Sequence, residues 1–242
     1  MRTSRILRAL AAAGWLMGGS VAAEPVIPRS ELPGLGTGAT RKRVDETTAP
    51  WRSLGRVQTE LGQRCTGTLI APDRVLTAAH CLTAPRRDQL VQPGSVHFLL
   101  GYAAGQFRAH RRVVAVQTST DYRPADRGPT SADWAILQLE APLDAPFLPL
   151  RPARLGDRIM LGGYQQDRAE VLMADPDCRV LDLRQQAGAI VLLHGCAGTR
   201  GASGAPLLRR EANGDWSIIG VAVAAARQQA GGLAVPAQAI QH

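Results

Sequence analysis

A chain of 242 residues, 45% of them apolar, is long enough to bury one large core or two small ones. It carries 28 Lys and Arg against 20 Asp and Glu, a net charge of +8, with only 4% aromatic residues. The basic charges are scattered and accompany no nucleic-acid motif and no set of stacking aromatics, so nucleic acid is not an expected partner.

At the N-terminus, Arg2, Arg5 and Arg8 precede an apolar run from Ala9 to Met17 and small residues at Val21 and Ala23. This order is that of a secretory signal peptide over 1–23, and the run is too short to span a bilayer. No later segment approaches spanning length. The expectation is an exported chain, secreted or periplasmic, with no membrane association once the signal is removed. Residues 24–43, EPVIPRSELPGLGTGATRKR, are rich in proline, glycine and charge and show no hydrophobic period. They read as a flexible leader or propeptide outside the core, with trimming near Arg41, Lys42 and Arg43 left open.

From about Trp51 onward, short apolar runs alternate with turn residues: TGTLIA, DRVLTAA, VHFLLG, RRVVAVQ, WAILQL, RIMLGGY, AIVLLHG, APLLRR, WSIIGVAVAAA and GGLAVP. Runs of this length, rich in Val, Leu and Ile and bounded by Gly, Pro, Asp and Asn, predict strands. Asn213 and Gly214 predict a tight hairpin turn with both residues at positive φ. No helical period persists beyond two turns. The fold class is therefore all-β, a barrel or sandwich, with a short C-terminal helix at most after Pro236.

Export governs the reading of Cys65, Cys81, Cys178 and Cys196. Four cysteines in an oxidising compartment predict two disulfides rather than a metal site. Three connectivities are open, and sequence proximity favours Cys65 with Cys81 and Cys178 with Cys196. No metal and no cofactor are expected.

Three polar residues then stand out in chain order. His80 follows a strand and adjoins Cys81, so a disulfide to Cys65 would anchor its loop, as a general base requires. Asp133 sits at the mouth of the apolar strand WAILQL, where a carboxylate needs a partner. Ser203 lies in the glycine-rich bend GTRGASGAPLL, which an ordinary turn would explain equally well. A serine hydroxyl needs a base to become a nucleophile, and its oxyanion needs donors, for which the amides of Gly201 and Ser203 are candidates. Together His80, Asp133 and Ser203 have the order of a His-Asp-Ser triad.

These blocks, TAAHC, DWAILQL and GASGAP, resemble those of chymotrypsin-type serine peptidases over about residues 43–240. The stretch RVDETTAPWRSLGRV, the short interval from Asp133 to Ser203, and Cys196 seven residues before the serine resemble the secreted bacterial branch related to glutamyl endopeptidases. The resemblance implies a peptidase domain over 44–242. It implies two antiparallel β-barrels in that domain, the first over about 50–142 and the second over about 143–242, with the active site between them. It also implies a histidine-loop disulfide between Cys65 and Cys81, and protein or peptide substrates cleaved through an acyl-enzyme.

Departures from the family pattern narrow the expectation. Ala202 stands where many relatives carry an aspartate that receives a newly freed N-terminal amine, so activation by amine insertion is not expected. Ala197 occupies the pocket floor where trypsin-like members carry aspartate, and no other carboxylate is expected there. Ala222 replaces the histidine of glutamate-cleaving relatives. With Val223, Ala224, Ala225 and Gly232 as the remaining pocket candidates, the expected P1 preference is neutral, small to medium and apolar. Two other readings remain: a catalytically inactive secreted binding protein on the same fold, and an exported polyanion binder. Oligomeric state is not legible.

Overall fold

A computed structural model describes residues 28, 31–37, 41–85, 87–186 and 188–241. The signal-peptide reading lies outside the described residues. Among the described residues, thirteen strands account for nearly all the regular structure, joined by short 3-10 turns. Among the described residues no helix is long and apolar enough to cross a membrane.

The first barrel is closed by β2 (Leu54–Thr59), β3 (Arg64–Ala71), β4 (Arg74–Thr77), β5 (Val96–Leu100), β6 (Ala109–Thr118) and β7 (Ala135–Leu139), in the order β2-β3-β4-β7-β6-β5. All its pairings are antiparallel. Alternation directs the burial: in β5, Val96, Phe98 and Leu100 are buried while His97 and Leu99 are only partly covered. Leu54, Val57, Leu69, Val75, Phe98 and Leu137 fill the interior.

The second sheet comprises β1 (Lys42–Arg43), β8 (Arg158–Gln165), β9 (Arg168–Gln186), β10 (Ala189–His194), β11 (Pro206–Arg210), β12 (Trp216–Ala225) and β13 (Gly232–Pro236). Its order is β1-β9-β10-β13-β12-β11-β8, and β8 also pairs with β9, so the sheet returns on itself and leaves β1 outside the ring. Ile159, Leu161, Val180, Leu192, Leu207 and Ile219 form its core. Leu172, Leu208, Ile218 and Val221 join the first core, which cements the two halves into one body. A 3-10 turn over Ala237–Ala239 follows Pro236.

Two local features differ from expectation. In the β11–β12 connection only Gly214 has positive φ, because residues 211–215 form a longer loop in which Asn213 bonds to Asp215 through its side chain. The described part of the leader is packed rather than detached. Leu32 and Leu35 are buried, Arg41 is buried in an ion pair with Asp167, and Lys42 and Arg43 pair with Ala174 and Met173 of β9. Two leucines and a partnered arginine outweigh the Pro and Gly content that suggested a free segment.

Candidate active site

His80 is placed by covalent and backbone constraints. β4 ends at Thr77, and the chain turns through a 3-10 segment, Ala79–Leu82, whose Cys81 is bonded to Cys65 of β3. His80 and the two cysteines lie close together, but both sulfurs are consumed in the disulfide, so they offer no thiolate to a metal. Asp133 follows the 3-10 turn Thr130–Ala132 and immediately precedes Trp134 and β7, which pairs with β4. The β4–β7 pairing therefore delivers the histidine and the aspartate to the same end of the first barrel.

Their contact is two-pointed. Asp133 Oδ2 lies 2.7 Å from His80 Nδ1, and Asp133 Oδ1 accepts the His80 backbone N–H at 2.8 Å. The carboxylate is 4% exposed, so both oxygens work in a region poor in water. A ring held at Nδ1 presents Nε2 away from the carboxylate. This is the tautomer a proton acceptor for serine requires.

Ser203 comes from the second sheet, in the bend before β11. Thr66 of β3 connects it to the first barrel. The Thr66 N–H donates to the Ser203 carbonyl at 2.9 Å, its hydroxyl donates to the Gly201 carbonyl at 3.0 Å, and the same hydroxyl accepts the Tyr164 N–H at 2.9 Å. Thr77, three residues before His80, donates its hydroxyl to the Thr66 carbonyl at 2.8 Å.

Around Ser203 the backbone amides divide into two sets. Those of Ala202, Gly204 and Ala205 donate to Thr199, Ala222 and Ala202 carbonyls. Those of Gly201 and Ser203 donate to no acceptor among the described residues, although paired amides are the rule in folded proteins. Gly201 has φ +89°, and a Cβ there would come within 2.6 Å of the Tyr164 carbonyl oxygen, so the bend that frees these two amides requires glycine.

Beside Ser203 opens a cavity of about 230 Å³. Of the expected pocket residues, Val223, Ala224 and Ala225 line it, whereas Ala197 and Gly232 do not. Its remaining walls include Leu161, Gly198, Thr199, Ala202 and Ala222, together with His194 and Pro33, both unanticipated. Arg200, which also borders the cavity, is exposed. His194 is buried at the end of β10. Its Nδ1 accepts the Cys196 N–H, its Nε2 has no partner among the described residues, and burial pushes its pKa down to about 4. At neutral pH it is an uncharged donor.

A carboxylate does lie behind the expected floor. Asp175, buried on β9, accepts the Ala197 N–H at 2.8 Å, but it is not among the cavity-lining residues. Composition offered no clue to it, because it sits in the polar stretch ADPDCR. The Cys178–Cys196 disulfide ties that part of β9 to the wall after β10.

Comparison with known proteins agrees with this architecture. The family model described as trypsin-like peptidase domain matches residues 65–221. A "Trypsin" from Saccharopolyspora erythraea is 30% identical over 113 residues, covering 46% of this chain and 43% of that protein, so the match spans less than half of the relative's length. A solved structure of a Glu endopeptidase in complex with MPD superposes with a TM-score of 0.69 at 21% identity, covering 84% of this chain and 94% of that one.

Proposed function

The chain belongs to the trypsin-like peptidase family, and from that premise we propose that it is a serine endopeptidase working through His80, Asp133 and Ser203. His80 Nε2 takes the Ser203 proton as the hydroxyl oxygen attacks a peptide carbonyl, and returns it to the leaving amine. Asp133 holds the ring and stabilises the imidazolium. Water then repeats the sequence on the acyl-enzyme. The amides of Gly201 and Ser203 receive the oxyanion. The observation that carries this reading is the pairing of a two-point Asp133–His80 clamp with the amides of Gly201 and Ser203, which have no acceptor among the described residues.

A neutral P1 preference accompanies it. Ala222 and the uncharged His194 leave the inner wall of the cavity without charge, while Asp175, outside the lining, is engaged by the Ala197 amide. Substrates are proteins or peptides met outside the cytoplasm, in keeping with two disulfides. The test is labelling with a serine-reactive fluorophosphonate, followed by peptide-library profiling. Ser203 is labelled and the Ser203→Ala variant is neither labelled nor active. An unlabelled native protein, or an active Ser203→Ala variant, would overturn the assignment.

A further inference from the structure

The cavity beside Ser203 is not enclosed by the two barrels alone. Residues 31–37 form a strap that joins its two walls. The Gly34 N–H donates to the Ala226 carbonyl at 2.6 Å, and the Gly34 carbonyl accepts the Gly198 N–H at 3.0 Å. Gly198 belongs to the wall that runs toward Ser203, and Ala226 follows directly on the opposite wall, Val223–Ala225. A single residue thus satisfies one backbone group from each side.

The fit is close. Gly34 has φ +80°, and a Cβ there would overlap the Gly198 carbonyl oxygen and approach the Ala225 methyl at 2.9 Å. Pro33 faces the cavity, and Leu32 and Leu35 are buried at 8% and 2% exposure. A second anchor lies downstream. The Arg41 guanidinium is paired with Asp167 and bonds to Gln165, whose same side-chain oxygen accepts the Thr199 N–H at 3.1 Å. Thr199 is again a cavity residue. Residues on both sides of 38–40 therefore hold the walls of one pocket.

We propose that the Leu32–Leu35 strap is a permanent wall of the substrate pocket, retained in the mature enzyme, and that Pro33 and Gly34 determine which P1 side chains fit. The reading of the chain as a serine peptidase is assumed. A leader trimmed at Arg41–Arg43 would take this wall away. Those residues are poor sites for trimming in the folded protein, since Arg41 is buried and Lys42 and Arg43 are held on β9. With the strap in place the pocket is closed toward Gly198 and Ala226 and suits small to medium side chains. Without it the gap between the walls opens, and bulky side chains gain room. A methylene of pocket space is worth about 10–200-fold in discrimination.

The experiment has two arms on the exported full-length protein. Intact mass and N-terminal sequencing of the active species should place its first residue before Glu31. In the second arm, Gly34→Val and, independently, Leu35→Asp dislodge the strap from either side of the same bond. Each variant should raise kcat/KM for Phe relative to Ala at P1 by at least about tenfold. Fluorophosphonate labelling of Ser203, measured in parallel, reports on the peptidase reading separately and should persist in both variants. A mature chain beginning after Leu32, and so lacking the strap, would overturn the proposal. So would variants that label normally and keep the parent P1 profile, or that gain activity equally on every P1 residue, since a uniform gain marks an inhibitory plug rather than a wall.

Discussion

Replacing Asp133 by Asn tests the clamp at constant shape. The two oxygens of Asp133 are not equivalent, since Oδ1 accepts the His80 main-chain N–H and Oδ2 faces His80 Nδ1. A carboxamide can keep the first bond only by turning its oxygen toward the main chain, which puts its NH2 group opposite Nδ1. The imidazole must then accept at Nδ1 and carry its proton on Nε2, so the nitrogen meant to take the serine proton is already occupied. The generic cost of that tautomer in such triads is about 10⁴-fold in kcat, or about 5 kcal/mol of transition-state stabilisation. The loss should fall on acylation, so the rate of fluorophosphonate labelling at neutral pH should drop in parallel with peptide turnover. KM and the unfolding midpoint should change little, because the Asp133→Asn side chain fills the same volume. A variant retaining more than a tenth of the parent turnover would refute the argument, as would one that loses activity only by unfolding.

Gly201→Ala should reduce kcat by about 10²- to 10³-fold with little change in KM, because a methyl directed at the Tyr164 carbonyl must shift the bend that aims the two unpaired amides. Steady-state kinetics on one peptide substrate checks this, and a pure KM effect would contradict it. His194 makes a pH prediction. Its folded pKa, about 4, lies below the ordinary 6.5, so between these values the unfolded chain binds a proton that the folded protein does not. Stability contributed by neutral His194 is full above pH 6.5 and falls as the pH drops toward 4, by about 3 kcal/mol in all. Urea unfolding at several pH values should show this slope in the parent and a flatter one in His194→Asn. Equal slopes would remove His194 as the cause.

What could be read from the sequence was what rests on local pattern. The runs around TAAHC and DWAILQL are short and apolar, so they mark β4 and β7, and the order of His80, Asp133 and Ser203 survives any uncertainty in loop geometry. The all-β class follows from the same runs. Three strands were missed for a shared reason. β1 is the charged pair Lys42–Arg43 and offers no apolar run at all. β2 has the weak pattern LGRVQT, and β9 runs nineteen residues through charged residues and Pro176, with register shifts against β8 and β10, so neither presents a bounded apolar run. The pocket was less legible because its walls come from four distant segments. His194 belongs to a strand end that looked like core, Asp175 is hidden in a polar stretch, and Pro33 belongs to a segment whose composition suggested looseness. Pairwise proximity across such distances is set by sheet closure, which one-dimensional pattern does not encode.

The proposed triad draws on both halves of the fold, and one buried threonine, Thr66, links them. His80 and Asp133 belong to the first barrel and Ser203 to the second sheet, so any sliding of one against the other would separate the proposed base from the proposed nucleophile. Thr66 resists that sliding with every polar group it has: its amide and hydroxyl engage Ser203 and Gly201, its hydroxyl also receives Tyr164, and its carbonyl receives Thr77 from the histidine's own side. The preceding residue, Cys65, carries the disulfide to Cys81, which adjoins His80. Covalent and hydrogen-bonded routes from the histidine thus converge on two consecutive residues and leave them toward the serine loop. The proposed base and nucleophile, drawn from two different sheets, need a positional tolerance of about half an ångström. The link through Cys65 and Thr66 ties the His80 turn to the Ser203 bend through short-range bonds, independently of the strands β7 to β10 that lie between Asp133 and Ser203 in the chain.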